Sequence, residues 1–162
     1  MKNKTFFLHG YESSGKGTKG KFFSRNFPYI RCPDFQGTLQ NRLDQLQTLC
    51  TDQPQLTFIG SSYGGLMAVN YSLTCPERIQ NLILMAPALN FENFHPPRQP
   101  LTVPTLLIIG QKDTITPPDI VLPLAKTTFS NLDIRLVNDG HMLHNTFEQI
   151  DWQSILQRSS PH

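Results

Sequence analysis

Cysteine is scarce in this sequence. Cys32, Cys50 and Cys75 are the only three in 162 residues, no two form a CxxC pair, and an odd number cannot close into a complete internal disulfide set. A disulfide-stapled secreted scaffold is thereby excluded, and reduced thiols in a cytoplasmic setting are expected. Charge is also thin: 14 Lys and Arg against 12 Asp and Glu leave a formal +2, with one modest basic cluster at Lys16, Lys19, Lys21 and Arg25. That falls short of the basic face that nucleic acid requires, so no nucleic-acid partner is expected, and a solvated loop and helix face accounts for the cluster. Long hydrophobic runs are missing as well. Phe6 to Leu8 is shorter than the apolar region of a signal peptide, and the longest apolar stretch, near Leu82 to Leu89, is too short to span a bilayer. A soluble, unexported protein with no membrane partner is expected. No repeat, low-complexity tract or linker divides the chain.

What is present suits one globular domain over residues 1–162: 38% hydrophobic, 16% charged and 10% aromatic residues. Thr5 to His9 reads as a buried strand that stops at Gly10, where a polar, glycine-rich stretch runs on to Gly20. Tyr29 to Cys32 is a short strand candidate closed by Pro33. Leu39, Leu43, Leu46 and Leu49 form one helical stripe after Gly37-Thr38. Leu56 to Gly60 is a further strand, and Gly64 to Leu73 a helix ended by Pro76. Three more apolar runs of strand length follow, at Leu82 to Ala86, Thr105 to Ile109 and Asp133 to Val137. A helix around Ile120 to Thr128 must be started or kinked by Pro123. Asn145 and Glu148, in a capping-box arrangement, open a closing helix. About six strands alternating with helices predict an α/β fold with a mainly parallel sheet covered on both faces. The irregular Pro87 to Pro104 stretch is too short for a cap domain, though Phe91, Phe94 and His95 within it are candidates to line an acyl pocket.

Gly60-Ser61-Ser62-Tyr63-Gly64 matches G-x-S-x-G, in which glycines flank a serine because the strand-to-helix turn leaves no room for side chains there. By composition alone the pentapeptide should occur in roughly one chain in twenty of this length. Its weight comes from the strand before it and the helix after it. Ser62 as a simple helix N-cap is the rival reading; Ser61 lacks the flanking glycine spacing. A serine hydroxyl needs a base, and the base an orienting acid. Downstream, in the order Ser, Asp, His, stand Asp113 just past the Thr105 to Ile109 strand and His141 just past the strand ending at Val137. Asp113 also fits an Asx-turn ahead of Thr116-Pro117, and His144 competes with His141. Asp139, too near His141 to orient it, is explained by turn chemistry. The backbone N–H groups of Tyr63 and of Tyr11, the latter after a curl at Gly10, are the expected oxyanion donors; His9 reads as structural.

These residues resemble the α/β-hydrolase superfamily and, within it, the small bacterial YqiA-like esterases. The likeness rests on His9-Gly10-Tyr11-Glu12-Ser13-Ser14, on Gly60 to Gly65, on Ala86-Pro87-Ala88 and on His141 ahead of Phe147-Glu148. It departs from the family at Asp139-Gly140-His141, at Lys112-Asp113 and in the richness of Gly15 to Gly20 in glycine and lysine. The resemblance implies hydrolysis of short acyl esters or thioesters by a compact fold without a lid. No cofactor and no metal are expected, and the protein is expected to be a monomer or weak homodimer.

The glycine-rich stretch and the histidines also fit other motifs. Gly10 to Lys16 fits G-x-x-x-x-G-K, yet Gly17 stands where a phosphate loop needs Ser or Thr. Gly15, Gly17 and Gly20 fit a dinucleotide fingerprint, with Asp34 as its acid, but four residues separate it from the strand. Lys16 and Lys19 are instead candidates to bind an anionic substrate group such as a phosphate or CoA moiety. A metal site at Asp139, His141 and His144 lacks organised spacing. A non-catalytic binding scaffold on the same fold is the alternative from another class.

Overall fold

The apolar runs form a five-stranded, all-parallel sheet whose spatial order follows the sequence, in a computed structural model that describes residues 4–158. The expected domain's first three and last four residues lie outside the described residues. The strands are β1 (Lys4–Leu8), β2 (Leu56–Ser61), β3 (Ile79–Met85), β4 (Thr105–Gly110) and β5 (Leu132–Val137). Between and beside them run α1 (Thr18–Asn26), α2 (Leu39–Cys50), α3 (Tyr63–Thr74), α4 (Pro118–Thr128) and α5 (Trp152–Arg158).

Alternation along the strands divides the interior in two, because successive side chains leave a strand on opposite faces. Phe6, Leu8, Phe58, Leu84 and Leu107 join the face covered by α2, α3 and α4. Phe7, Ile59, Ile83, Met85 and Ile108 join the face covered by α1 and α5. The second face is rich in aromatics: the Phe23 ring lies 5.0 Å from Trp152, 5.2 Å from Phe7 and 5.6 Å from Phe147. Edge-to-face packing of this kind stabilises beyond the area it buries.

Three expectations are corrected. The sixth strand, Tyr29 to Cys32, is reduced to one bridge in which Phe7 N–H donates to Arg31 C=O and Arg31 N–H to Thr5 C=O, at 2.8 and 3.0 Å. Pro28 and Pro33 bracket it and offer no donors to extend the ladder. The polar stretch expected to run to Gly20 gives way to α1 at Thr18. The sequence shows little of this helix because Gly17 caps it without a side-chain bond and Gly20 sits inside it; the packing of Phe23 forms it. The closing helix does not start at Asn145. A 3-10 turn spans Phe147–Gln149, and α5 begins only at Trp152, where Asp151 Oδ1 accepts from Ser154 N–H. Among the described residues no helix is long and apolar enough to cross a membrane.

Glycine richness at 15 to 20 has a packing cause. A Cβ at Gly15 would collide with the Cys32 carbonyl, and one at Gly20 with the Gly15 carbonyl.

Candidate active site

All five strands run the same way, so the loops after them gather at one edge of the sheet, where open α/β sheets carry their ligand sites. Ser62 follows β2 directly. Its φ of 55° and ψ of −114° are strained for a non-glycine residue. Crowding explains the flanking glycines: a Cβ on Gly60 would come within 2.6 Å of the Gly64 carbonyl oxygen, and one on Gly64 would run into the Leu8 carbonyl. Ser62 is the residue before α3, yet its hydroxyl makes no capping bond. Instead Ser62 Oγ lies 2.9 Å from His141 Nε2.

The far side of that imidazole is held by Asp113, whose Oδ2 lies 2.8 Å from His141 Nδ1. A carboxylate only accepts, so Nδ1 carries the proton and Nε2 presents its lone pair to the serine hydroxyl. Asp113 serves its own turn with its other oxygen, Oδ1 accepting from the N–H groups of Ile115 and Thr116 at 2.9 and 2.8 Å. Thr116 Oγ donates to Oδ2 at 2.6 Å and lies 3.1 Å from His141 Nδ1. Burial alone would raise the Asp113 carboxyl, but the Thr116 bonds and His141 outweigh it and hold it below the ordinary carboxylate range. Asp113 thus has the contacts of both readings, an Asx-turn on Oδ1 and a bond to the imidazole on Oδ2. In the sequence Thr116 shows only as part of the turn after Asp113; its contact with the imidazole comes from the fold.

Asp139 has a different task. Its carboxylate accepts from Gly140 N–H, from the N–H groups of Asn145 and Thr146, and from the Thr146 hydroxyl, all at 2.8–2.9 Å. It fixes the loop carrying His141 and takes up donors that a helix start at Asn145 would have used. Lys19 ties the same loop down from α1, donating to the Met142 carbonyl at 2.8 Å with its ammonium 5.3 Å from the Phe147 ring centre. Burial lowers the Lys19 pKa. His144 is exposed, and it does not converge with His141 and Asp139 on any common point of coordination.

The N–H groups of Tyr11 and Tyr63 take no hydrogen-bond partner among the described residues, and both residues line the cleft with Ser62. His9 secures the first of them. Its Nε2 accepts from Phe35 N–H at 2.8 Å, so Nδ1 bears the proton and donates to the Gly10 carbonyl at 2.7 Å, within the peptide unit that carries the Tyr11 N–H. Burial lowers the His9 pKa and keeps the ring neutral.

The cleft over Ser62 measures about 760 Å³. Tyr11, Phe91, Ile115 and Met142 form an exposed apolar rim, with Glu12 and Glu92 beside them. Glu92 accepts from the Tyr63 hydroxyl at 3.1 Å, and burial together with this carboxylate pushes the Tyr63 phenol up to about 12. Of the three residues expected to line an acyl pocket, Phe91 alone lines this cleft; Phe94 packs against the core and His95 lies exposed outside the cleft. Among the described residues the segment between β3 and β4 forms no helix, and its Ala88, Phe91 and Glu92 line the cleft.

The nucleotide-like motifs are spent internally. Gly15 N–H donates to Asp34, Lys16 N–H to the Ser14 hydroxyl and Gly17 N–H to the Ser14 carbonyl, the groups a phosphate loop would turn toward its ligand. Lys16 and Lys19 also point to different places. Lys16 faces a separate cavity beside Lys21, Ser24 and Arg25, while Lys19 is engaged with the His141 loop.

A model of the alpha/beta hydrolase fold matches residues 9–101, from the His9-Gly10 turn past the serine elbow. The chain belongs to the α/β-hydrolase family. A hydrolase of the alpha/beta superfamily from Xanthomonas campestris pv. campestris superposes with a TM-score of 0.80, covering 98% of this chain and 99% of that one at 22% identity. A thermophilic esterase from Thermogutta terrifontis superposes at 0.74, covering 97% and 90% at 16% identity. These two likenesses speak for the fold. A homoserine O-succinyltransferase from Comamonas testosteroni is 35% identical over 78 residues, and that match spans 46% of this α/β hydrolase and only 18% of the relative.

Proposed function

We propose that this α/β hydrolase cleaves small carboxylic esters or thioesters through an acyl-serine intermediate. Ser62 Oγ attacks the carbonyl carbon while its proton passes to His141 Nε2, and the carbonyl oxygen, now negative, takes hydrogen bonds from Tyr11 and Tyr63 N–H. The tetrahedral adduct collapses, the carbon–oxygen or carbon–sulfur bond of the leaving group breaks, and His141 gives that group its proton. Water then repeats the sequence on the acyl-serine and releases the acid. Asp113 holds the imidazole in the tautomer that both half-reactions require.

The observation that carries this reading is the Ser62–His141–Asp113 relay at 2.9 and 2.8 Å, assembled from three separate loops on a strained serine. A binding scaffold has no use for that strain. The exposed apolar rim favours substrates with an uncharged apolar portion, and the engagement of Lys19 removes the paired lysine site for a CoA phosphate. The test is labelling by a fluorophosphonate probe, expected at Ser62 and absent in Ser62→Ala, followed by p-nitrophenyl esters of graded chain length with acyl-CoA and amide comparators. A wild-type protein that takes no label would sink the proposal. The succinyltransferase likeness supports a second reading, in which the acyl group passes to an alcohol. An added alcohol that is converted into a new ester would favour it.

A further inference from the structure

Arg42 occupies the apolar stripe of α2, one turn from Leu39 and one from Leu46, and is only 3% exposed. A cation taken out of water ordinarily demands a carboxylate. Among the described residues none lies within 4.0 Å of it, so its partners must be sought elsewhere. Arg42 Nε donates to the Gly37 carbonyl and Nη2 to the Tyr11 carbonyl, each at 3.1 Å, while Nη1 has no hydrogen-bond partner among the described residues. The guanidinium carbon also lies 5.1 Å from the Tyr11 ring centre and 5.2 Å from that of Tyr63, within cation–π range of both. The two rings meet edge to face at 5.2 Å.

We propose that Arg42 is a positioning residue for the oxyanion donors, binding together the two residues whose N–H groups serve that role in the hydrolase reading above, on which this inference rests. Three of its contacts converge on them: the Tyr11 carbonyl, the Tyr11 ring and the Tyr63 ring. Tyr11 stands on a loop and is 60% exposed, so that little else restrains it. With His9 holding the Gly10 carbonyl and Arg42 the Tyr11 carbonyl, the peptide N–H between them is fixed from both ends. The same guanidinium ties that loop to the first turn of α3 and brings the two donors into register. Donors fixed before reaction cost no reorganisation when negative charge appears, so this device acts on the transition state more than on substrate binding.

The test compares wild type with Arg42→Met and Arg42→Lys, each assayed per active site after titration to completion with a fluorophosphonate, which leaves misfolded protein out of the rate. In the Met variant kcat is expected to fall roughly 10- to 100-fold with KM little changed, and affinity for a trifluoromethyl ketone, which mimics the tetrahedral adduct, to fall by a similar factor. The Lys variant, which keeps a charge but loses the planar fork, should recover part of both. Should the Met variant fail to fold, the Lys variant decides by the same measures. A kcat per titrated site within about threefold of wild type, with the loss confined to melting temperature or to KM, would overturn the inference and leave the hydrolase reading standing. A wild type that takes no label overturns both.

Discussion

Asp113 carries two duties with two oxygens. Oδ1 closes its own turn and Oδ2 faces His141, so the side chain cannot rotate to favour one without abandoning the other. Asp113→Asn preserves most of the turn but no longer demands a proton on Nδ1, and by analogy with tautomer loss in other triads kcat should fall by as much as ~10⁴. Steady-state kinetics beside a melting curve checks this; a drop below about tenfold with the fold intact would place the acid elsewhere. At this scale the sequence was readable wherever a residue's chemistry is announced by its neighbours. Ser62 stands between obligatory glycines, and Asp113 and His141 follow strands. Thr116 and Arg42 were not singled out, because a hydroxyl and a guanidinium acquire their meaning from what the fold sets against them. Arg42 left a trace all the same, a charge on a face of leucines.

Among the elements, the turn from β2 into α3 leaves no room for a side chain at Gly60 or Gly64. Gly64 stands against the Leu8 carbonyl, the last residue of β1, so a methyl group there must push α3 away from the sheet or lift the loop that bears Tyr11. Gly64→Ala is expected to destabilise by about 1–3 kcal/mol, as overpacking does, and to lose probe labelling more steeply than stability. Chemical denaturation run beside labelling separates the two; equal losses would mean that the elbow is simply a packing site. The strand–turn–helix order here was plain in the sequence from its change of period. The edges were harder to read. Tyr29 to Cys32 has the composition of a strand but prolines on both sides, α1 has a glycine where helices seldom keep one, and the donors near Asn145 were claimed by Asp139, six residues earlier.

At the scale of the whole molecule, three groups near the same sheet edge make stability depend on pH in one direction. His9, Asp113 and Asp139 all have folded-state pKa values lowered from 6.5 or 3.8, so the unfolded chain binds protons more readily than the folded one. Stability therefore rises with pH through their range. Their contribution is whole above the unfolded values and is lost on acidification, first as pH falls below 6.5 through His9 and again below 3.8 through the two carboxylates. Urea midpoints measured at a series of pH values should decline in those two stages; a midpoint that stays flat from neutral pH to about 5 would remove His9 from the account.

The sheet has one more consequence, which concerns time. Because β1 to β5 lie side by side in the order they occur in the chain, each strand leaving the ribosome finds its neighbour already laid down. The serine and both proposed oxyanion donors belong to the first 63 residues, whereas the histidine arrives after the last strand. On the hydrolase reading, a growing chain thus carries its serine and both donors before it carries the base, and the serine stays unarmed until the sheet is finished.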